Sequence, residues 1–353
     1  MAITSPPRLA DDLSLETLAG AVELSAAKLL ESKEGTLKFG TLVIDRREYA
    51  DYLNRFARVV RRTKDPEALY AAVAEAFVFL RASGESRPGE VFITSYFEPI
   101  ILGAKAPTAR YSRALYRRPA DLIVGSDKRK GRMQHGKLLP YFTRAEIDGE
   151  GALAGQGLEI CWVDPVDAFF LHIQGSGRVK LPTGEVLTLN FADKNGHPYH
   201  PIGKSVAASL GGNTSMPPLE AYLRAQSPEE QQRIFNANPS YVFFKESQRR
   251  AVTASGVSAT AGRTIATDGD LFPKGTLAVL RFDRPVFDDG PDDTAPDIRT
   301  VARFVVDQDT GGAIKGPGRV DLFWGTGDEA KKHAGVVRGW GSLYYLVPRV
   351  LVR

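Results

Sequence analysis

From Val91 onward the chain breaks into short apolar runs separated by Gly, Pro, Asn and Asp, and this texture narrows the possible folds more than any other feature. The runs are VFITSYF (91–97), LEICWV (158–163), AFFLHIQ (168–174), EVLTLNF (185–191), LAVLRF (277–282) and VDLFW (320–324). Runs of this length, rich in β-branched and aromatic residues and bounded by turn formers, read as strands. They do not alternate with helical segments, which argues against a doubly wound parallel sheet. One helical patch, about Pro217 to Asn236, interrupts them.

The first ninety residues have a different period. Leu15, Leu18, Val22 and Leu29–Leu30 recur at helical spacing, and Tyr49, Leu53, Phe56 and Val60 form a second stripe. Asp65-Pro66-Glu67 opens a third helix, with Asp as N-cap and Pro in the first turn. Its inner face is expected to be Leu69, Val73, Phe77 and Leu80. The chain is therefore mainly β with N-terminal helices, and 353 residues suit two domains.

Composition sets limits on function. A net charge of +4 demands no polyelectrolyte partner, so nucleic acid is not expected. Charge is nonetheless uneven. Residues 103–144 carry eleven Lys or Arg against Asp121 and Asp127, either a solvated face or a groove for an anionic polymer. Residues 283–297 hold six Asp and one Arg among Pro and Gly, and read as a surface loop. Cys161 has no partner for an internal disulfide and reads as a small buried residue. His197 and His200 lack a third ligand nearby, so no metal site is expected. No run of 18 apolar residues is present, hence no membrane span. The start, MAITSPPRLADDLS, has no basic and apolar leader and no Cys for lipid attachment, and reads as a mature or trimmed form.

The chemistry concentrates between Asp307 and Gly335. Asp309 and Asp321 bracket a glycine-rich run containing Lys315. After Asp321 come Leu322-Phe323-Trp324 and then Gly325-Thr326-Gly327, a turn into a helix. A carboxylate beside glycine backbone and aromatic faces suits acid–base work on a sugar. Spacing alone favours turn closure by Asp over catalysis for either one. Asp309-Thr310-Gly311 resembles an aspartic protease signature, but the second copy needed to share a proton is missing. Gly325 to Ala330 fits G-x-G-x-x-A, but no acidic residue follows Glu329, so a dinucleotide fold has no room.

Six segments, in order, resemble one family. They are ITSYFEP (93–99), FFLHIQGSGRVKLPTGE (169–185), KNGHPYHPIGK (194–204), NPSYVFF (238–244), TAGRTIATDGDLFPKGT (260–276) and DTGGAIKGPGRVDLFWGTG (309–327). Together they are similar to the membrane-bound lytic murein transglycosylase A family, across about residues 90–347. The resemblance implies a double-psi β-barrel domain built from 1–105 and 246–353. A second β-barrel-like, glycan-binding domain would be inserted at 106–245, with a glycan groove between the two.

The resemblance also implies an activity: cleavage of the β-1,4 MurNAc–GlcNAc bond of peptidoglycan with formation of 1,6-anhydromuramoyl ends. The family's single catalytic Asp corresponds to Asp321, and two further motif aspartates to Asp309 and Asp268. Thr94, Tyr96, Gln174, Ser176, Tyr241 and Lys315 fall in matching motifs with side chains suited to a sugar. For Tyr96 and Tyr241, packing in a core strand is the competing role. The chain departs from the family's T-G-Y-Y at Thr94-Ser95-Tyr96-Phe97, where Ser95 would stiffen a groove wall and Phe97 lacks a hydroxyl. No cofactor or metal is implied. The expected partner is the peptidoglycan strand, met in the periplasm, in outer-membrane association, by a monomer. A non-catalytic wall-glycan module and a two-carboxylate hydrolase are the alternatives.

Overall fold

The computed structural model describes residues 1–353 except 8–10, 32–34, 64, 250, 288–296 and 353. The chain begins with β1 (Ala2–Thr4), α1 (Leu15–Leu30), the hairpin β2–β3 (Thr36–Phe39, Leu42–Asp45), α2 (Arg46–Arg62), α3 (Pro66–Ala76), β4 (Phe77–Arg81) and β5 (Val91–Glu98). A second group follows, with β6 (Ile100–Ala104), β7 (Arg113–Tyr116), β8 (Ile123–Val124), β9 (Lys130–Gln134), β10 (Lys137–Pro140) and β11 (Glu159–Val163). It continues with α4 (Pro165–Gln174), β12 (Gly177–Lys180), β13 (Val186–Lys194), α5 (Met216–Arg224), α6 (Pro228–Asn236) and β14 (Val242–Glu246). The last group is β15 (Thr264–Ala266), β16 (Thr276–Val286), β17 (Asp297–Asp309), β18 (Arg319–Thr326), α7 (Gly327–Ala334) and β19 (Arg338–Pro348).

These groups sort into two compact units. One comprises 1–97, 252–325 and 329–353; the other 98–251 and 326–328. In the first, the strand order β19-β16-β17-β15-β18-β5 returns to β19, which closes a six-stranded barrel. One of its pairs, β15–β17, is parallel. In the second, a six-stranded sheet runs β14-β13-β12-β6-β11-β7, and a bridge from Arg117 to Phe244 brings its end strands together.

Closure depends on β19 pairing with different strands at its two ends. Ser342 to Tyr345 pair with β16, and Arg338 to Gly341 with β5. Helices α1 and α2 lie against this barrel. Ser14 and Asp45 cap them by accepting the amides of Glu16 and of Arg47 and Glu48. Ala19, Ala21, Ser25 and Ala26 give α1 a small-residue buried face. Tyr49 of α2 is wholly buried, accepts from the Leu277 amide (3.0 Å) and donates to the Leu346 carbonyl (2.9 Å). One hydroxyl thus satisfies backbone groups of β16 and β19 that would otherwise be costly to bury.

Two elements differ from their sequence readings. AFFLHIQ (168–174) lies in helix α4, not in a strand. Asp164 caps it through the Val166 and Asp167 amides, and Pro165 occupies its first turn. Val166, Ala168, Phe169, Leu171 and His172 are all buried, so the run is apolar nearly all round and carries no period to separate the two. Conversely α3 ends at Ala76, and Phe77–Arg81 pairs as β4 with β1 and β19. The patch at 217–236 is two helices, the second opened by Ser227 and Pro228. Of the acidic stretch 283–297, the ends belong to β16 and β17, and 288–296 lies outside the described residues.

The closure point yields a prediction. A Cβ on Gly341 would sit 2.3 Å from the Arg281 carbonyl oxygen and 2.5 Å from Ile93 Cδ1, whereas one on Gly339 meets nothing within 4 Å. Gly341→Ala should cost about 1–3 kcal/mol by overpacking, and Gly339→Ala little. Urea melts of the two variants test this. Equal stability would mean that β19 crosses the seam with room to spare.

Candidate active site

Alternation along β18 puts Arg319, Asp321 and Phe323 on one face and Val320, Leu322 and Trp324 on the other. Asp321 Oδ1 accepts a hydrogen bond from Thr94 Oγ1 of β5 (2.7 Å). Tyr96, two residues on, packs its ring on Phe323 (5.2 Å between centres) and donates to Asp309 Oδ2 (2.7 Å). Asp309 is the last residue of β17, and its Oδ1 also accepts from the backbone amides of Ala254 (2.8 Å) and Thr310 (2.9 Å). The β15–β17 register slips so that Ile265 faces Asp307 and Ala266 faces Asp309, which brings two aspartates of one strand to adjacent partners.

The three motif aspartates are not shifted alike. Burial pushes the Asp321 carboxyl up to about 6, over the opposing pull of the Thr94 hydrogen bond and the Arg319 charge, while Asp309 adds to the rise. Burial raises Asp309 as well, against three hydrogen bonds that favour its anion. At Asp268 burial is outweighed by the Gly316 and Asp270 amides and by Lys315, and the carboxyl lies below its ordinary range. Asp268 accepts from the Gly316 amide (2.8 Å) and from Lys315 Nζ (3.2 Å), so it ties down the glycine-rich turn before β18. Lys315, largely exposed, also reaches Asp270 (3.4 Å).

A second buried network adjoins this one. Asp307 is wholly buried and accepts from Lys274 Nζ (2.8 Å), Thr267 Oγ1 (2.6 Å) and Tyr345 Oη (2.5 Å). Burial raises its carboxyl despite the Lys274 charge. Sequence reading singled out none of Asp307, Lys274 or Arg319. The available signal was their spacing, since Asp307 and Arg319 each stand two residues before a motif aspartate.

Several expectations need correction. Trp324 does not bury Asp321: it faces the other way, stacking on His333 (5.2 Å) and under the Arg303 guanidinium (5.1 Å). Tyr241 is wholly buried in its unit, edge-on to His172 (4.3 Å), with its hydroxyl 3.2 Å from Asp148 Oδ1. A ring without exposed surface cannot stack on a sugar, so Tyr241 packs the core. Phe97 is buried too, so a hydroxyl there would not face a ligand. Ser95 donates to the Ala334 carbonyl (3.1 Å), fastening β5 to the end of α7. Gln174 ends α4, and Ser176 lies two residues beyond it, both partly exposed.

Six of the eleven cations of the basic stretch 103–144 pair with four carboxylates of their own unit. Arg113 and Arg144 pair with Asp148, Arg118 and Lys130 with Asp193, Arg117 with Glu246 and Arg129 with Asp127. Cys161 is buried, and burial pushes its thiol up to about 12. Among the described residues no group of three or more His, Cys, Asp or Glu could hold a metal ion, and no helix is long and apolar enough to cross a membrane.

Known proteins resemble this chain along most of its length. Residues 92–245 match the family described as the MltA specific insert domain, and 263–347 match the 3D domain. The chain is 28% identical over 323 residues to membrane-bound lytic murein transglycosylase A of Escherichia coli K12, covering 85% of this chain and 81% of that one. It is 30% identical over 271 residues to the protein of that name from Vibrio cholerae, covering 74% and 67%. A crystal structure of membrane-bound lytic murein transglycosylase from Agrobacterium tumefaciens superposes with a TM-score of 0.78 at 29% identity, over 99% of this chain and 98% of that one.

The raised carboxyl has a consequence for stability. For an acid whose folded value is raised, the anion is the disfavoured form. Stability therefore falls as pH rises from the ordinary 3.8 through about 6. Asp321→Asn removes that cost and should stabilise the fold at pH 7 by about 2–3 kcal/mol, with the advantage fading toward pH 4. Melts at both pH values check this. A variant no more stable than its parent at pH 7 would show that burial does not penalise the anion.

Proposed function

The chain belongs to the membrane-bound lytic murein transglycosylase A family, and from that premise we propose that Asp321 is its general acid and base. The chain is a peptidoglycan lytic transglycosylase. One observation carries the assignment of Asp321. Of the three motif aspartates it has the fewest hydrogen-bond donors, a single hydroxyl, and its carboxyl titrates near 6. Asp309 accepts three hydrogen bonds and Asp268 is held as an anion by backbone and Lys315.

In this reading the protonated Asp321 gives its proton to the glycosidic oxygen between N-acetylmuramic acid and N-acetylglucosamine. The carboxylate so formed takes the proton of the muramic C6 hydroxyl as that oxygen attacks C1 of its own sugar. The C1–O bond to the leaving sugar breaks, a 1,6-anhydro ring forms, and no water is consumed. An internal nucleophile fills the place of the second carboxylate that hydrolysing glycosidases need. Charge developing at C1 is met by Asp309, whose Tyr96 bond fixes its orientation. Asp268 acts by holding the Lys315–Gly316 turn, and the largely exposed Lys315 is a cation that a glycan can reach. The insertion is the glycan-binding part. The enzyme works on murein strands in the periplasm as a monomer, in association with the outer membrane.

Asp321→Asn should lower anhydromuropeptide release from purified sacculi by ~10²–10⁴-fold or more, because acid and base functions are lost together. Asp309→Asn should be less severe. Mass analysis of the released muropeptides, with melts as fold controls, decides between readings. Products about 18 mass units heavier with reducible ends would mean attack by water and a two-carboxylate hydrolase. Full activity in Asp321→Asn would remove it from the chemistry.

A further inference from the structure

Arg319 lies two residues before Asp321 on the same strand face, and among the described residues it has no direct ion pair. Its Nη1 donates to the Phe92 carbonyl (3.1 Å) and its Nη2 to Thr94 Oγ1 (3.2 Å), while the guanidinium lies over the Phe92 ring, 5.1 Å from its centre. Thr94 Oγ1 in turn donates to Asp321 Oδ1. The three groups form a chain with a direction. A guanidinium has donors only and cannot accept the threonine proton. Among the described residues the Thr94 hydroxyl has no acceptor other than Asp321. Its hydrogen therefore points at Oδ1, and that oxygen is kept as an acceptor.

We propose that Arg319 is a positioning residue which, through Thr94, confines the transferable proton of Asp321 to Oδ2. This rests on the reading of Asp321 as the acid. An acid that carries its proton on one oxygen alone presents it in one direction, and loses no time with the proton facing Thr94. Every charged or titratable group around Asp321 bears on the same oxygen pair. Arg319 faces it from its own strand, and Arg338 of β19 pairs opposite Thr94 and stacks on the other approach to Phe92 (5.8 Å). Asp309 faces it from β17, and Tyr96 of β5 is committed to Asp309. Neighbouring β15 offers only Ala266 across from it. Both the Thr94 bond and the Arg319 charge favour the Asp321 anion, and burial opposes them.

The test uses the full chain with Arg319→Met, Arg319→Lys, Thr94→Val and Thr94→Ser. The readouts are the pH profile of kcat/KM for anhydromuropeptide release and a carboxyl ¹³C NMR titration of Asp321. Activity requires the protonated acid, so it falls on the alkaline side as Asp321 ionises. Arg319→Met and Thr94→Val should move that limb, and the NMR titration with it, upward by about one pH unit, and should lower maximal turnover about tenfold or more through a misdirected proton. Arg319→Lys and Thr94→Ser keep a donor-only cation and a hydroxyl, and should return both readouts most of the way. An unmoved limb and titration in folded Arg319→Met or Thr94→Val would overturn the proposal, as would a lysine or serine that rescues nothing. Should Arg319→Met fail to fold, the threonine pair carries the test. If Asp321→Asn is inactive while these limbs stay put, only the relay is lost; an active Asp321→Asn would remove the acid assignment beneath it.

Discussion

Everything at this site depends on keeping one carboxyl group mostly out of water with a single strong hydrogen bond. A buried carboxylate with two or three donors becomes more acidic, and one with none is too costly to keep charged. Asp321 lies between these limits because β18 is flanked in the barrel by short β15 and by β5, and because among the described residues Thr94 of β5 is its one side-chain donor. The strands on either side of β18 shelter it, β15 on one edge and β5 on the other, and β5 is held in turn by β19. The seam at β19, which brings Arg338 and Trp340 against Thr94 and Phe92, is therefore part of the acid's environment as well as of the fold.

The neighbouring carboxyls show how one barrel end assigns different charge states to like residues. Asp307 and Asp309 stand on one strand, yet the first meets Lys274, Thr267 and Tyr345 while the second meets Tyr96 and two backbone amides. Lys274 compensates Asp307 at close range, so this buried anion adds little repulsion to the site beyond what Asp309 supplies. Asp268 is buried too, but its two amides and Lys315 outweigh that burial and keep it ionised. The outcome is a contrast between a charged clamp at Asp268 and a protonatable acid at Asp321, on different strands or turns of the barrel.

How much of this was legible in the sequence follows from which physical signals are local. Helix starts are local: Asp65-Pro66 opens α3 as its residues imply, and the same Asp-Pro pair at 164–165 opens α4. The second was missed because the apolar run after it, buried on nearly all sides, outweighed the cap. The end of α3 was missed for a related reason, since Phe77 and Leu80 continue a helical period by coincidence while pairing as a strand. Strand alternation was legible and, applied to β18, would have sent Trp324 away from Asp321. The family resemblance pointed to Asp321, Asp309 and Asp268, but not to what holds each of them. Donors such as Thr94 and Ala254 come from chain 227 and 55 residues away, and no periodicity reports such contacts.

Sugar-binding assignments suffered most from the same limit. An aromatic residue in a motif is equally fit to pack a core or to stack on a glycan, and only exposure separates the two. Tyr241 has none, held between His172 and Phe243 with its hydroxyl on Asp148. Tyr96 is intermediate: its ring leans on Phe323, and its hydroxyl is spent on Asp309. What the motif keeps at Tyr96 is then an anchor for a carboxylate. That reading also accounts for Phe97, because the strand turns alternate residues inward and only one of two adjacent rings can reach the acid. The basic stretch makes the same point for charge. Eleven cations in sequence look like a polymer groove, yet six of them are drawn into pairs with only four carboxylates, Asp127, Asp148, Asp193 and Glu246.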